Sequence, residues 1–173
     1  YIDGDCFISI NSLDDMLNTY NLNQQVNSIS GFPATIGRGT LNWRKNLLET
    51  GETPGNFYAL TPGFLKKVKS LGFKLPIGLI GDDSLLSWVC GNNLSIKNSR
   101  NKDSFGHSIN SLFYYERLVP NSIKKIRLYI RRLDRYSLRR LQQKCIRAYV
   151  DLYDFSKLPE NIDEVYKHNN LSH

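Results

Sequence analysis

Asp3-Gly4-Asp5 stands between the apolar Ile2 and the short β-like run Phe7-Ile8-Ser9-Ile10. Two carboxylates at the end of a strand can hold a hard cation, because their oxygens suit Mg²⁺ or Mn²⁺. Such ions use one or two protein carboxylates and complete their shell with substrate phosphates. The glycine between them would let the backbone turn and a ligand come close. The plainer reading is an acidic turn, since Asp is common in turns. A second pair, Asp82-Asp83, follows Gly81 and precedes the helical run Ser84 to Val89. Adjacent carboxylates can raise one another's pKa, which suits proton transfer, and acids also suit a helix N-terminus. His107 is a possible third metal ligand, although a lone loop histidine is more often a surface residue. Trp88, at helical spacing with Leu85, reads as core; Trp43 reads as core or as a platform for a sugar ring.

The elements that must position these groups alternate between short strands and helices, which makes the class α/β. Ser12, with Asp14 and Asp15 behind it, predicts a helix start, and Leu13, Met16, Leu17 and Tyr20 keep a helical spacing. Residues 26–36 read as loop or strand, with Gly31, Pro33, Gly37 and Gly39 marking a mobile connection. Thr53-Pro54-Gly55-Asn56 is a turn leading into the apolar strand Phe57 to Leu60. Thr61-Pro62 starts a helix that Gly72 ends, and Gly91 stops the helix after Asp83. Residues 95–106 read as polar loop, Ser111 to Tyr115 as a strand, and a long helix follows Pro120.

The chain has 173 residues, enough for one domain with a sizeable core, and no apolar run nears the roughly 20 residues of a membrane span. Cys6, Cys90 and Cys145 are an odd number without metal spacing, which favours reduced, buried thiols in a reducing compartment. His168 and His173 sit in a polar tail. The net charge of +7 is concentrated: residues 121–147 carry ten basic residues against the single acid Asp134, a local charge of +9. Along that segment Ile126, Ile130, Leu133, Leu141 and Cys145 form an apolar stripe. The cations around it read as a solvated face or as a site for an anionic partner, through Arg131, Arg132, Arg139 and Arg140. Nucleic acid is the weaker candidate, because no recognised nucleic-acid-binding motif is present.

Four features follow one another in a fixed order. They are Asp3-Gly4-Asp5, then Gly55-Asn56-Phe57-Tyr58-Ala59-Leu60, then Leu75-Pro76 with Gly81-Asp82-Asp83-Ser84-Leu85-Leu86, and last Arg132-Leu133-Asp134-Arg135-Tyr136 with Gln142-Gln143. This order, over residues 1–150, resembles the family 2 glycosyltransferases of GT-A fold, which include the chitin, hyaluronan and cellulose synthases. The resemblance implies a partial GT-A (Rossmann-like) mixed sheet with flanking helices that lacks the nucleotide-binding first half, followed by a long basic helix. It implies two parts: 1–118 as the metal- and acceptor-binding half, and 119–173 as a basic helical segment packed on it. It further implies Asp3 and Asp5 as ligands of Mn²⁺ or Mg²⁺, Asp83 as base with Asp82 beside it, and Gly55, Asn56 and Asp82 at the acceptor. The donor is then a nucleotide sugar, UDP-linked by preference, and the acceptor a glycan, lipid-linked or protein hydroxyl. The chain, without an initiating Met and without a leader, reads as the second half of such a domain. Its place would be the cytoplasm, or the periphery of the membrane's inner face. The stretch Gln142 to Arg147 has no Trp after its Arg, so single addition is implied over polymer synthesis. The rival class is a non-catalytic basic module that binds an anionic membrane or nucleic acid.

Overall fold

The computed structural model describes residues 1–34, 38–116 and 118–169, and its innermost strand is β2 (Ser28–Pro33), buried at every position. Gly31 and Pro33, expected in a mobile connection, lie in this strand. A side chain at 31 would meet the Ser111 carbonyl at 2.5 Å and the Phe57 ring at 2.6 Å, so only glycine fits there. The expectations for Ile36, Gly37 and His173 lie outside the described residues.

The sheet is mixed, with β1 (Cys6–Ile8) and β3 (Tyr58–Leu60) at its edges and β4 (Phe105–Tyr115) beside β2. The strand order is β1-β4-β2-β3; β2 and β4 are parallel, and both edge strands pair antiparallel. β4 begins six residues before the expected strand, so the loop read as 95–106 is shorter. Ser28 and Thr53 hydroxyls meet at 2.8 Å, and Ser30 lies 2.9 Å from His107 Nδ1. His107 is therefore a half-buried strand residue and not a surface loop histidine.

Helix α1 (Ser12–Leu22) packs on β4. Ser12 does not cap it. Its hydroxyl donates to the Leu112 carbonyl, while Ser111 Oγ donates to the Ser12 carbonyl at 2.8 Å. α2 (Arg38–Asn46) contains Gly39 and continues as a π-helical turn over Leu47–Gly51. α3 (Pro62–Leu71) opens on Thr61, whose hydroxyl accepts from Phe64 N–H, and closes on Gly72 at φ +64°. α4 (Asp82–Gly91) starts at the acidic pair itself, behind Gly81 at φ +79°, and includes the glycine expected to stop it. α5 (Ile123–Tyr153) has 31 residues, begins at the Ser122 cap and spans about 46 Å at 1.5 Å per residue. His168, read as part of a polar tail, ends α6 (Ile162–His168), in which Ile162, Val165 and Tyr166 are buried; its Nε2 lies 2.9 Å from the Tyr153 hydroxyl.

Two apolar clusters result. One, on the sheet, gathers Met16, Val26, Ile29, Phe57 and Phe113, with Trp43 against it. The other joins Phe64 of α3 and Leu85, Leu86 and Val89 of α4 to Ile146 and Val150 of α5 and Val165 of α6. Trp88 packs on this second cluster, as its spacing predicted. Among the described residues no helix is long and apolar enough to cross a membrane.

Candidate active-site cleft

Residues 1–3 run beside the start of β3, where Tyr58 N–H donates to the Tyr1 carbonyl and Asp3 N–H to the Asn56 carbonyl at 2.9 Å. This pairing holds Asp3 beside Gly55 and Asn56, although fifty residues separate them in sequence. The turn after Asp3 is closed by Cys6 N–H donating to the Asp3 carbonyl at 3.0 Å, and Asp3 Oδ1 accepts from Gly4 N–H at 3.0 Å. Gly4 is not required by that turn: it lacks positive φ, and a Cβ there would meet nothing within 4 Å. The space beside it is open to a ligand.

The 53–56 turn is tied to α4, since Thr53 N–H donates to the buried Ser87 Oγ at 3.1 Å. That anchor brings Gly55 against Asp83. A Cβ at 55 would lie 2.8 Å from Asp83 Oδ2 and 3.0 Å from its Cβ, so the glycine makes room for the acid. Asp83 Oδ1 pairs with the Arg139 guanidinium at 3.0 Å, and Arg139 also donates to Ser84 Oγ. Asp82, more exposed, accepts from Asp83 N–H at 3.0 Å through Oδ1. The expected crowding of the two carboxylates is thus relieved, because Asp83's charged partner is a cation. Gln142 of α5 fixes the approach to the pair: its Oε1 accepts from Ile80 N–H at 2.6 Å and its Nε2 donates to the Gly78 carbonyl at 3.1 Å.

These segments wall a cleft of about 1170 Å³. Asp3, Asp5, Asp82 and Asp83 line it with Gly55 and Asn56, and so do Arg131, Arg132, Arg135 and Arg139 of α5, the last ion-paired to Asp83. A smaller recess of about 490 Å³ shares Gly55, Asp83 and Arg139, and runs on toward Gln143 and Arg147. Tyr1 reports the clustering of acid. Its phenol is pushed above the ordinary tyrosine range by burial first, and then by the carboxylates of Asp3, Asp82 and Asp83. Tyr58, stacked on Tyr1 at 5.1 Å between centroids, is pushed up as well by burial and then Asp82.

Asp3, Asp5, Gly55, Asn56, Asp82 and Asp83 therefore line one cleft, and the possible third metal ligand, His107, does not. Three of the four arginines assigned to an anionic partner join them there. Arg140 does not, and His107 lines neither recess, lying on β4 with its pKa lowered by burial. Trp43 borders both recesses, with its ring edge-on to Phe113 and Tyr115 at 5.8 and 6.1 Å. Sequence reasoning missed Tyr1, Arg135 and Ser84 as cleft residues. For Arg135 the signal was available, because it falls one helical turn from both Arg131 and Arg139. Among the described residues no group of three or more His, Cys, Asp or Glu could hold a metal ion.

The protein is mixed α/β, with carboxylates and arginines lining one cleft. No family model, no curated protein and no solved structure matches this chain.

Proposed function

We propose that the protein is a metal-dependent glycosyltransferase of GT-A type, moving a sugar from a nucleotide-sugar donor to an acceptor hydroxyl with inversion. The observation that supports this reading is the lining of one cleft by four carboxylates, two in the turn before β1 and two at the start of α4, together with four arginines of α5. An anionic diphosphate needs cations on one side, and a sugar acceptor needs a proton acceptor on the other. Asp3 and Asp5 would hold Mn²⁺ or Mg²⁺, and the ion would offset charge on the departing diphosphate. Arg131, Arg132 and Arg135 would face the phosphate oxygens, where planar guanidinium groups bind well. Asp83 would take the acceptor's proton. Arg139 fixes its Oδ1, while Oδ2 lies over Gly55, on the side where Asn56 could orient the hydroxyl. Asp82, exposed beside it, would contact the acceptor.

The test is calorimetric titration of UDP with and without Mn²⁺, followed by assays of sugar transfer. UDP should bind in a Mn²⁺-dependent way, and Asp5→Asn should weaken it by roughly tenfold or more. Asp83→Asn should leave UDP binding within about threefold and lower turnover by roughly a hundredfold or more. Unchanged Mn²⁺-dependent binding in Asp5→Asn would remove the metal assignment. If Asp82→Asn is the more damaging of the pair, the base has been placed on the wrong residue. Salt-sensitive binding to anionic surfaces with no response to UDP and Mn²⁺ would favour the non-catalytic module.

A further inference from the structure

Helix α5 leaves its apolar stripe unburied over its first half. A helix packed on a protein turns its apolar stripe inward and its charges to water. Over residues 123–141 the side facing the cleft holds Leu128, Arg132, Arg135 and Arg139. At roughly 100° per residue, Ile123, Ile126, Ile130 and Leu133 fall on the opposite side. They are 73%, 45%, 52% and 46% exposed. The stripe expected to meet the core therefore faces solvent along this stretch, and only beyond it do Cys145 and Ile146 enter the core. Arg127, Arg140 and Lys144 lie along or beside the stripe, exposed, and no acid pairs with them among the described residues. The lone acid Asp134 shares that side, leaving it net positive.

We propose that this outer face of α5 docks on an anionic lipid surface. Ile123, Ile126, Ile130 and Leu133 would seat at the boundary between headgroups and acyl chains, with Arg127, Arg140 and Lys144 on the phosphates. An apolar stripe edged by basic residues, too polar to cross a bilayer, is what an interfacial helix requires. A second copy is the competing occupant, since the 3-4-3 spacing of the four residues also suits a helix partner. It would set two segments of charge +9 side by side, a repulsion that an anionic surface turns into attraction. The arginines of the cleft face the other way, so docking is independent of sugar transfer and stands if that reading fails.

Co-sedimentation with vesicles of phosphatidylglycerol and phosphatidylcholine, against phosphatidylcholine alone, tests the docking. The chain should pellet with the anionic vesicles at low salt and lose most of that binding at high salt. Replacing Ile126, Ile130 and Leu133 together by Ser, with charge unchanged, should weaken binding by roughly tenfold or more. Replacing Arg127, Arg140 and Lys144 together by Gln should weaken it by roughly a hundredfold at low salt. Arg135→Gln, on the cleft side, should change it by no more than about twofold. These positions are exposed, so circular dichroism should show every variant folded. A chain that stays in the supernatant, or a serine variant that binds as well as the parent, overturns the proposal. So does a dimer in solution that the serine variant dissociates while vesicle binding is absent.

Discussion

Asp83 is held from two sides, by Arg139 on Oδ1 and by the bare backbone of Gly55 beneath Oδ2. The same arginine would overlap any Cβ at Gly81, whose φ of +79° already favours glycine. Two glycines thus yield space to one ion pair, which is a demand of the site more than of the chain path. Both glycines and both acids were legible in the sequence as motifs, but their common neighbour was not. Arg139 lies more than fifty residues downstream in a run of cations that all look alike, and only the fold selects one of them. His107 was misread for the opposite reason: it directly follows what reads as polar loop, yet the strand half-buries it beside Ser30. Burial lowers its pKa below the ordinary 6.5, so the folded state holds it neutral while the unfolded chain takes up a proton. Its contribution to stability is therefore present above about pH 6.5 and is lost as pH falls toward the folded value. Unfolding midpoints should drop between pH 7 and pH 5, and His107→Gln should flatten that slope. Equal slopes in parent and variant would show that other groups carry the pH dependence.

At the scale of elements, the start of α5 was readable from Pro120, but the helix read over 121–147 runs on to Tyr153. Which way it turns was not readable, because a 3.6-residue period is identical whether the apolar stripe faces core or solvent. The decision is made near its middle, where Gln142 is the first buried residue of the helix, 2% exposed. One amide group there pairs with two backbone groups of the segment leading into Gly81-Asp82-Asp83. Removing it would break two part-buried hydrogen bonds, each worth about 0.5–1.5 kcal/mol. Gln142→Ala should accordingly lower stability by about 1–3 kcal/mol or more in urea unfolding. Gln142→Glu should also destabilise, since a carboxylate can accept from Ile80 N–H but has nothing to donate to the Gly78 carbonyl. A loss below half a kcal/mol in both variants would mean that water replaces the amide and that the segment needs no anchor from α5.

Across the whole molecule, the two apolar clusters raise the question of how many folding units the chain contains. The second cluster takes Phe64, Leu85, Leu86 and Val89 from before residue 118 and Ile146, Val150, Phe155 and Val165 from after it. A core shared in this way gives neither part a full apolar complement of its own, and cooperativity follows when neither side is stable alone. Phe155 is the clearest joint: it is fully buried, with Trp88 edge-on at 4.8 Å and Phe73 at 6.4 Å. Each cluster also has one tryptophan, Trp43 on the sheet and Trp88 among the helices. In urea, Trp88→Phe leaves Trp43 as the reporter of the sheet, and Trp43→Phe leaves Trp88 as the reporter of the helices. The two fluorescence transitions should each coincide with the loss of helical circular dichroism in the same variant. Phe155→Ala should destabilise by about 3–5 kcal/mol, the usual cost of emptying a buried phenylalanine site. The milder Phe155→Leu keeps the chain folded if Ala does not. In either background Trp43 should sense the loss as fully as Trp88 does. A Trp43 transition that stays put while the Trp88 transition shifts would show the sheet folding by itself, with the helical layer added as a separate unit.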